Sequence, residues 1–175
     1  FCLCSGLILI FTDLLNFGTL ELFPSATEIP KLQVLGPEPL TDDFDTRYLY
    51  PRLKASSKEI KPFLLDQRLV AGIGNIYASE ILIASGVLPQ RSSHSLKKKE
   101  VQAIVENTRR ILLSAIEYNG TSVSDFRQVD EKIGEFQNFL QVYDKESQPC
   151  PRCEVPLQRI VQQQRSTFFC IGCQK

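Results

Sequence analysis

The chain has 175 residues, which is enough for one ordinary domain or two small ones. Its hydrophobic fraction of 43% and its charged fraction of 23% are normal for a soluble globular protein. The formal net charge of zero excludes a general attraction to nucleic acid, so any DNA-binding face must be a local basic patch balanced by acidic groups elsewhere.

The apolar start of the chain predicts β-strands and no membrane segment. Residues 7–11 form an apolar run, and residues 17–23 alternate apolar and polar side chains at a period of two. Two strands cannot form a stable sheet alone, so they need partners. The start has no basic n-region or cleavage site, and it is too short to span a bilayer. The absence of Met and the opening Phe1 indicate a fragment, and Cys2 and Cys4 are expected to be ordinary buried thiols.

Residues 24–41 contain four prolines and predict a linker between domains. A helix is expected after Thr41, because Asp42 and Asp43 in its first turn would complement the helix dipole. The linker should therefore separate the strands from a helical domain.

Residues 58–86 predict two helices joined by a glycine-rich double turn. Apolar spacing indicates helices over 58–66 and 76–85, and Ser57 is expected to cap the first. Between them, Gly72 and Gly74 allow positive φ and a close approach of the backbone to another molecule. The second helix begins with free N–H groups at the positive end of its dipole, where an anion can bind, and Asn75 is expected at its N-cap. The same pattern also fits an ordinary helical hairpin with a glycine-rich corner.

A long amphipathic helix is predicted over 96–118, with Ser95 as its N-cap and Asn119-Gly120 as its end. Its expected buried stripe comprises Val101, Ile104, Val105, Ile111, Leu112, Ala115 and Ile116. Basic residues on its polar side fit either phosphate contact or simple solubility. His94, the only histidine, is expected in a loop, and a further loop is expected within residues 121–140.

The tail, residues 141–175, carries two Cys-x2-Cys pairs separated by sixteen residues. Each pair can direct two thiolates at one ion, and four thiolates complete a tetrahedral zinc shell. Segments 158–161 and 166–169 predict a β-hairpin between the pairs. A tail this short buries little core, so one structural zinc ion would supply the missing stability. Two disulfides or a redox dithiol pair are the alternatives.

Several stretches resemble one known family. They read LDQ at 65–67, VAGIGNIYASE at 70–80, and QRSTFFC at 164–170, and they are preceded by LGPEPL at 35–40. In this order they resemble the formamidopyrimidine-DNA glycosylase family, base-excision repair enzymes that remove oxidised purines. The chain is thereby identified as a C-terminal fragment of such a protein.

The resemblance implies an α+β fold that is mainly helical and has three parts. Residues 1–35 would be the end of an N-terminal β-sandwich catalytic domain, present here as remnant strands. Residues 36–140 would be the helix–two-turns–helix DNA-binding domain, and residues 141–175 a zinc ribbon. The zinc ligands would be Cys150, Cys153, Cys170 and Cys173.

The resemblance also implies which residues meet DNA. The expected contacts are Phe17, Lys61, Gly72, Ile73, Gly74, Asn75 and Arg165. Phe17 would be an apolar wedge in the base stack, and Arg165 would hold the phosphates beside the damaged nucleotide and assist the second, δ-elimination step. Lys61 and Arg165 taken singly also fit solvated surface residues. The family usually has Asp-Pro-Arg-Arg-Phe-Gly where residues 13–18 read Asp-Leu-Leu-Asn-Phe-Gly, so both arginines are absent and Leu15 donates no hydrogen bond to the opposite base.

The implied function is base-excision DNA repair, with damaged-DNA binding by this chain. The full-length parent would be a bifunctional DNA glycosylase and AP lyase that removes 8-oxoguanine and formamidopyrimidines. The family's nucleophile is the amine of an N-terminal Pro followed by Glu, and Phe1-Cys2 matches neither, so the chain as given is expected to bind DNA without cutting it. The alternatives are an endonuclease VIII-like glycosylase for oxidised pyrimidines, a non-catalytic zinc-containing DNA-binding paralogue, and a zinc-stapled protein-interaction module.

The expected partner is double-stranded DNA containing damaged bases or abasic sites, and no membrane partner is expected. We expect a monomer in the bacterial cytoplasm, or in the nucleus or an organelle of a eukaryote.

Overall fold

The computed structural model describes residues 4–8, 10–11, 18–121 and 134–175. The chain divides into two compact units, Phe1–Val34 and Leu35–Lys175, and each is described by itself. The predicted wedge Phe17, together with Cys2 and Leu15, lies outside the described residues.

The first unit contains short helical turns and no regular strand among its described residues. A 3-10 turn covers Ala26–Glu28, and helix α1 covers Pro30–Gln33. The strand predicted over residues 17–23 is wrong for its described part, because residues 18–23 take no secondary structure. In the predicted strand 7–11, Ile8 forms a single β-bridge and its described neighbours none. Period-two patterning alone does not make a strand, since a strand needs hydrogen-bonded partners.

Cys4 is an exposed free thiol, so the prediction that it is buried is wrong. The physical reason is that no described side chain of this unit is buried, and an apolar sequence cannot bury a thiol without a packed core around it.

The second unit is mainly helical and ends in a β-hairpin, which confirms the predicted fold class. Its elements are α2 (Thr46–Lys54), α3 (Ile60–Leu64), α4 (Asn75–Ser85), α5 (Lys98–Glu117), β1 (Gln158–Gln162) and β2 (Arg165–Phe169), with 3-10 turns at Ser93–Ser95 and Phe136–Phe139. The strands are antiparallel, and Gln162 pairs with Arg165 at the hairpin turn.

Helix α2 begins later than its acidic signal predicts. Asp42 and Asp43 precede the helix, and the N-cap is Asp45, whose carboxylate accepts a 2.7 Å hydrogen bond from the Tyr48 N–H. The Asp45 carboxylate satisfies a free N–H of the first turn directly. This hydrogen bond determines where α2 begins more strongly than the weaker attraction between an acidic side chain and the helix dipole.

Helix α3 begins at Ile60 with Glu59 as its N-cap, so the predicted cap Ser57 is wrong. The segment before the helix pairs with a distant segment instead. The Ile60 N–H donates to the Arg91 carbonyl at 2.8 Å, and the Ser93 N–H donates to the Lys58 carbonyl at 2.8 Å. This backbone pairing holds residues 58–59 extended and delays the start of the helix.

Helix α5 begins at Lys98, so Ser95 is not its cap and lies in the preceding 3-10 turn. The Glu100 carboxylate accepts a 2.7 Å hydrogen bond from the N–H of the N-cap residue Lys97. At the other end, Asn119 and Gly120 both have positive φ, and the Gly120 N–H donates to the Ala115 carbonyl at 2.7 Å. The predicted Asn-Gly stop is therefore confirmed.

The core lies where α4 packs on α5. Its α5 side chains are Val101, Ile104, Val105, Ile111 and Ala115, all predicted and all buried. The predicted members Leu112 and Ile116 differ, since Leu112 is half-buried and Ile116 is 63% exposed. Both border an apolar cleft of about 740 Å³ beside the double turn, which Leu40 and Tyr77 also line.

Among the described helices, none combines the length and the apolar character that crossing a membrane requires. The loop expected within residues 121–140 falls mainly on residues 122–133, which are outside the described part of the chain.

Candidate nucleic-acid interface and metal centre

The double turn between α3 and α4 is held by one glutamine side chain. Gly72 has a φ of +77°, as predicted for a glycine-rich turn. The Gln67 amide oxygen accepts a hydrogen bond from the Gly72 N–H at 2.7 Å, and the Gln67 amide nitrogen donates to the Ile73 carbonyl at 3.1 Å. The Gln67 side chain therefore stabilises the turn through hydrogen bonds to the backbone of two of its residues.

The N-cap of α4 is Gly74, so the prediction that Asn75 occupies this position is wrong. Gly74 has extended backbone, and a Cβ placed on it would meet no atom within 4 Å. There is therefore open space beside the backbone at Gly74, where α4 begins. The Ile73 side chain is buried, so only its backbone is suited to meet a ligand.

The Asn75 side chain bonds to other parts of the protein instead of capping its own helix. Its oxygen accepts from the Lys61 ammonium at 2.7 Å. Its nitrogen donates to the Ser166 carbonyl at 3.0 Å and, more weakly, to the Tyr143 hydroxyl at 3.4 Å. Because the Tyr143 contact is the longest of the three, that N–H is the one most easily given up to an incoming acceptor.

Lys61 is 1% exposed, so the alternative interpretation of a solvated surface lysine is wrong. Its ammonium donates to Asn75, to the Thr167 hydroxyl at 2.7 Å and to the Ser166 carbonyl at 2.9 Å. Burial, followed by the nearby Arg165 guanidinium, lowers the pKa of Lys61 to about 8.

Arg165 is exposed at the start of β2, beside a small basic notch. Lys58 and Arg68 line the same notch and share the Asp66 carboxylate, at 2.9 and 3.0 Å. The hydrogen bond from Arg68, and next that from Lys58, holds the pKa of Asp66 well below its usual range. Three cations against one carboxylate give this face a local positive charge, which is the arrangement that a neutral chain needs to bind DNA.

Glu80 in the middle of α4 holds the chain that leads into the C-terminal ribbon, residues 141–175. This carboxylate is 3% exposed and accepts hydrogen bonds from three successive backbone N–H groups. They belong to Gln141 at 2.8 Å, Val142 at 3.0 Å and Tyr143 at 2.9 Å. The approach of the ribbon to α4 is therefore set by one buried carboxylate.

The ribbon is also tied to the C-terminal end of α4. The Arg152 guanidinium donates to the Ile83 carbonyl at 2.7 Å, and the Lys175 N–H donates to the Gly86 carbonyl at 3.0 Å. The buried Gln174 side chain accepts from the Cys170 N–H and donates to the Val87 carbonyl, both at 2.7 Å. Both ends of α4 and its centre thus contact the ribbon.

The four predicted cysteine ligands come together at the base of the hairpin. All four Sγ atoms lie within 4.8 Å of one another. The Cys153–Cys170 separation is 3.4 Å and the Cys150–Cys173 separation is 3.9 Å. A tetrahedral zinc–thiolate site has sulfur atoms about 3.8 Å apart, whereas a disulfide needs about 2.05 Å. The geometry therefore fits one metal ion better than two disulfides.

The chemistry of the donor set also fits a cation. The hydrogen bond with Cys153, followed by burial, raises the pKa of Cys173 to about 12. Burial raises the pKa of Cys150, but the N–H groups of Arg152 and Cys153 outweigh it and lower that pKa to about 7. Four thiols this close cannot all ionise unless a positive ion lies between them. Gly172 leaves no room for a side chain there, since a Cβ would lie 2.9 Å from the Cys153 sulfur.

Of the predicted DNA-binding residues, the structure brings Lys61, Asn75 and the segment after Arg165 into one hydrogen-bonded cluster, while Gly72 and Gly74 shape the turn before it. The residues that sequence reasoning left without a role are Gln67, Glu80 and Tyr143. A signal for Glu80 was present, because it is the only charged residue of α4, in a helix that is otherwise almost wholly apolar.

Two family models match the chain. The model described as Formamidopyrimidine-DNA glycosylase H2TH domain matches residues 35–127, and the model described as Zinc finger found in FPG and IleRS matches residues 147–175. The second match, together with the four clustered sulfur atoms, confirms the prediction of one structural zinc ion.

Curated relatives named formamidopyrimidine-DNA glycosylase match nearly the whole chain. The one from Ruegeria pomeroyi is 43% identical and covers 98% of this chain, and the one from Sodalis glossinidius is 44% identical and covers 97%. The matches cover 62% and 63% of those two proteins, so the chain spans less than two thirds of their length.

Solved structures of Fpg proteins also superpose well on this chain. The MutM (Fpg) protein from Thermus thermophilus superposes with a TM-score of 0.80 at 43% identity, covering 84% of this chain and 56% of that one. A complex of Lactococcus lactis Fpg with DNA containing an abasic site gives a TM-score of 0.77 at 36% identity, covering 83% and 53%.

Proposed function

Because this chain belongs to the formamidopyrimidine-DNA glycosylase family, we propose that it binds damaged duplex DNA in base-excision repair. The observation that carries the proposal is the hydrogen-bonded cluster of Lys61, Asn75 and Ser166, which links three features. These are the open N-terminus of α4, the Asn75 amide beside it, and the exposed Arg165 on the hairpin. We call Gly72, Gly74, Asn75 and Arg165 the phosphate-binding surface.

Each part of this surface suits a DNA phosphate for a different reason. A helix N-terminus presents backbone N–H groups and a positive dipole end to an anion. A guanidinium holds two phosphate oxygens at once, and Lys58 and Arg68 add positive charge nearby. Such contacts position a duplex without reading its sequence, which is what an enzyme that searches for damaged bases requires.

The partner we propose is duplex DNA with a damaged base or an abasic site. The Lactococcus lactis Fpg structures include complexes with DNA containing Fapy-dG and with DNA containing an abasic site, which supports this class of ligand. In the whole protein we propose glycosylase and AP lyase activity on oxidised purines, with Phe17 as the wedge and Arg165 assisting δ-elimination. Since the named relatives are bacterial, the corresponding location is the bacterial cytoplasm, where the DNA lies.

Replacing either polar residue of the phosphate-binding surface should weaken DNA binding. We expect Arg165→Ala and Asn75→Ala each to cost about 1–3 kcal/mol, measured by fluorescence anisotropy with a duplex that contains an abasic-site analogue. For Arg165→Ala the plot of log K against log[salt] should also become shallower by about 1, because one phosphate contact is lost.

The matched control is Arg47→Ala, which removes an exposed arginine whose ion-pair partner is its own neighbour Asp45. It should leave both the affinity and the salt slope unchanged. If both Arg165→Ala and Asn75→Ala bind the duplex as tightly as the unaltered chain does, the phosphate-binding surface is wrongly assigned.

A further inference from the structure

Lys61 connects two parts of the protein that are far apart in sequence. An ammonium has three N–H donors, and here all three are used. One bonds to Asn75 at the first residue of α4, and two bond to Ser166 and Thr167 on β2. No donor is left for a DNA phosphate.

Burial of the Lys61 ammonium costs free energy, and a role in packing alone does not explain why a lysine occupies this site. An ammonium removed from water loses its hydration, and Arg165 adds the repulsion of a like charge. A well-packed apolar side chain of similar volume would fill the same space at lower cost. The feature that an apolar side chain cannot reproduce is the set of three directed hydrogen bonds.

Those hydrogen bonds end on the atoms that set the phosphate-binding surface. Thr167 and Arg165 are two residues apart on β2, so their side chains point to the same side of the strand. The Ser166 carbonyl accepts from both Lys61 and Asn75, which locks the Asn75 amide to the same strand. The bond to the Asn75 oxygen also decides which way this amide faces, with its N–H groups toward Ser166 and Tyr143.

We propose that Lys61 is a positioning residue for DNA binding, which holds the Asn75 amide and the Arg165 strand in register with each other and does not itself contact a phosphate. The inference rests on the proposed function, because it assigns to Lys61 the alignment of that same surface.

The test is a double-mutant cycle on the full, zinc-loaded chain, with the abasic-analogue duplex as the probe. The variants are Lys61→Met, Arg165→Ala and the double variant. Lys61→Met should lower the affinity about tenfold in the unaltered chain and by a clearly smaller factor in Arg165→Ala, where only the alignment of the Asn75 amide is left to lose. The NMR signals of the Asn75 side-chain amide should also move in Lys61→Met without DNA, a change that a direct phosphate contact does not require.

Lys58→Met is the matched control for loss of charge. Lys58 lines the notch with Arg165 but makes no hydrogen bond to Asn75 or β2 among those described, so its effect should be below threefold and additive with Arg165→Ala. If Lys61→Met fails to fold, judged by thermal melting and zinc content, Lys61→Gln replaces it, since a neutral amide retains part of the hydrogen bonding.

The outcomes separate the two proposals. Additive losses in the cycle, with a salt slope reduced by about 0.9 in Lys61→Met, would mean that Lys61 contacts a phosphate directly and would overturn the inference. Unchanged affinity in Lys61→Met alongside a loss in Arg165→Ala would overturn the inference and leave the proposed function intact. Unchanged affinity in Arg165→Ala and Asn75→Ala would overturn the proposed function itself.

Discussion

Removal of zinc should abolish the preference of the chain for a duplex with an abasic-site analogue over an undamaged duplex. The hairpin strands β1 and β2 have five residues each, and a two-stranded hairpin of this length is not stable alone. Its small core consists of Ile83, Val142, Cys150, Leu157, Phe168 and Cys170, two of which are metal ligands. Without the ion the thiols no longer fix the hairpin, so the bond from Asn75 to Ser166 is weakened and the adjacent Arg165 is no longer held in place.

The measurement is binding of the zinc-loaded chain and of the chelator-treated chain to both duplexes at low salt. We expect at least a tenfold loss of affinity for the abasic duplex on zinc removal, and recovery on adding zinc back. The helical signal in far-UV circular dichroism should largely persist, because α2, α4 and α5 bury a separate core that contains no cysteine.

Cysteine substitutions provide the matched control. Cys170→Ser should reproduce the effect of the chelator, because it removes a buried ligand of the metal site. Cys4→Ser should change neither zinc content nor DNA binding, because Cys4 is an exposed thiol outside the cluster. Full abasic-site preference in a chain shown to hold no zinc would contradict the proposed dependence of the phosphate-binding surface on the ribbon.

Features fixed by local sequence could be predicted, as the zinc site and α4 illustrate. Two Cys-x2-Cys pairs at the two ends of a short hairpin can direct four thiolates at one ion, and the structure brings all four sulfur atoms together. The sequence predicts helix α4 over 76–85 and the structure has it at Asn75–Ser85, because an apolar run between Gly74 and Gly86 has clear ends. Gly86 at the end of α4 has a φ of +68°, as a helix stop requires.

Features fixed by distant partners could not be predicted. Asn75 resembles an N-cap when only its own helix is considered, yet its partner Ser166 is 91 residues away. Lys61 resembles a surface cation, yet it is buried and donates a hydrogen bond to Thr167, which is 106 residues away. Ile116 continues the apolar stripe of α5, but the groups beside it form a cleft and leave it exposed. In each case the tertiary neighbour that decides the outcome has no signal in the local sequence.

Glu80 also depends on distant partners, which lie 61 to 63 residues away in sequence. Its replacement should have the largest effect on the free energy of unfolding. Glu80→Ala leaves the N–H groups of Gln141, Val142 and Tyr143 without their acceptor in a largely buried site. An unsatisfied buried donor costs about 1–3 kcal/mol. The Val142 N–H is buried and those of Gln141 and Tyr143 are partly buried, so we expect a total loss of about 2–5 kcal/mol in the free energy of unfolding. Urea denaturation measures this loss, and hydrogen exchange at residues 141–143 should locate it.

Two further variants test whether the lost hydrogen-bond acceptor causes the loss of stability. Glu80→Gln keeps the shape and one acceptor oxygen but places an N–H₂ group toward the remaining donors, so its loss should lie between those of Glu80→Ala and the unaltered chain. Glu106→Ala removes an exposed glutamate of α5, whose only described partner is Gln102 in the same helix, and should change stability by less than about 0.5 kcal/mol.

Glu80→Ala should also weaken DNA binding, although Glu80 lies behind the phosphate-binding surface. Tyr143, which Glu80 holds through its backbone N–H, contacts Asn75 through its hydroxyl and packs edge-on against Phe168 of β2 at 5.1 Å between ring centroids. Release of the segment 141–143 therefore loosens the surface at both Asn75 and the hairpin. If Glu80→Ala keeps the exchange protection of these three amides and the affinity for the abasic duplex, the ribbon is held to α4 by its other contacts, those of Arg152 and Gln174, and the carboxylate is dispensable.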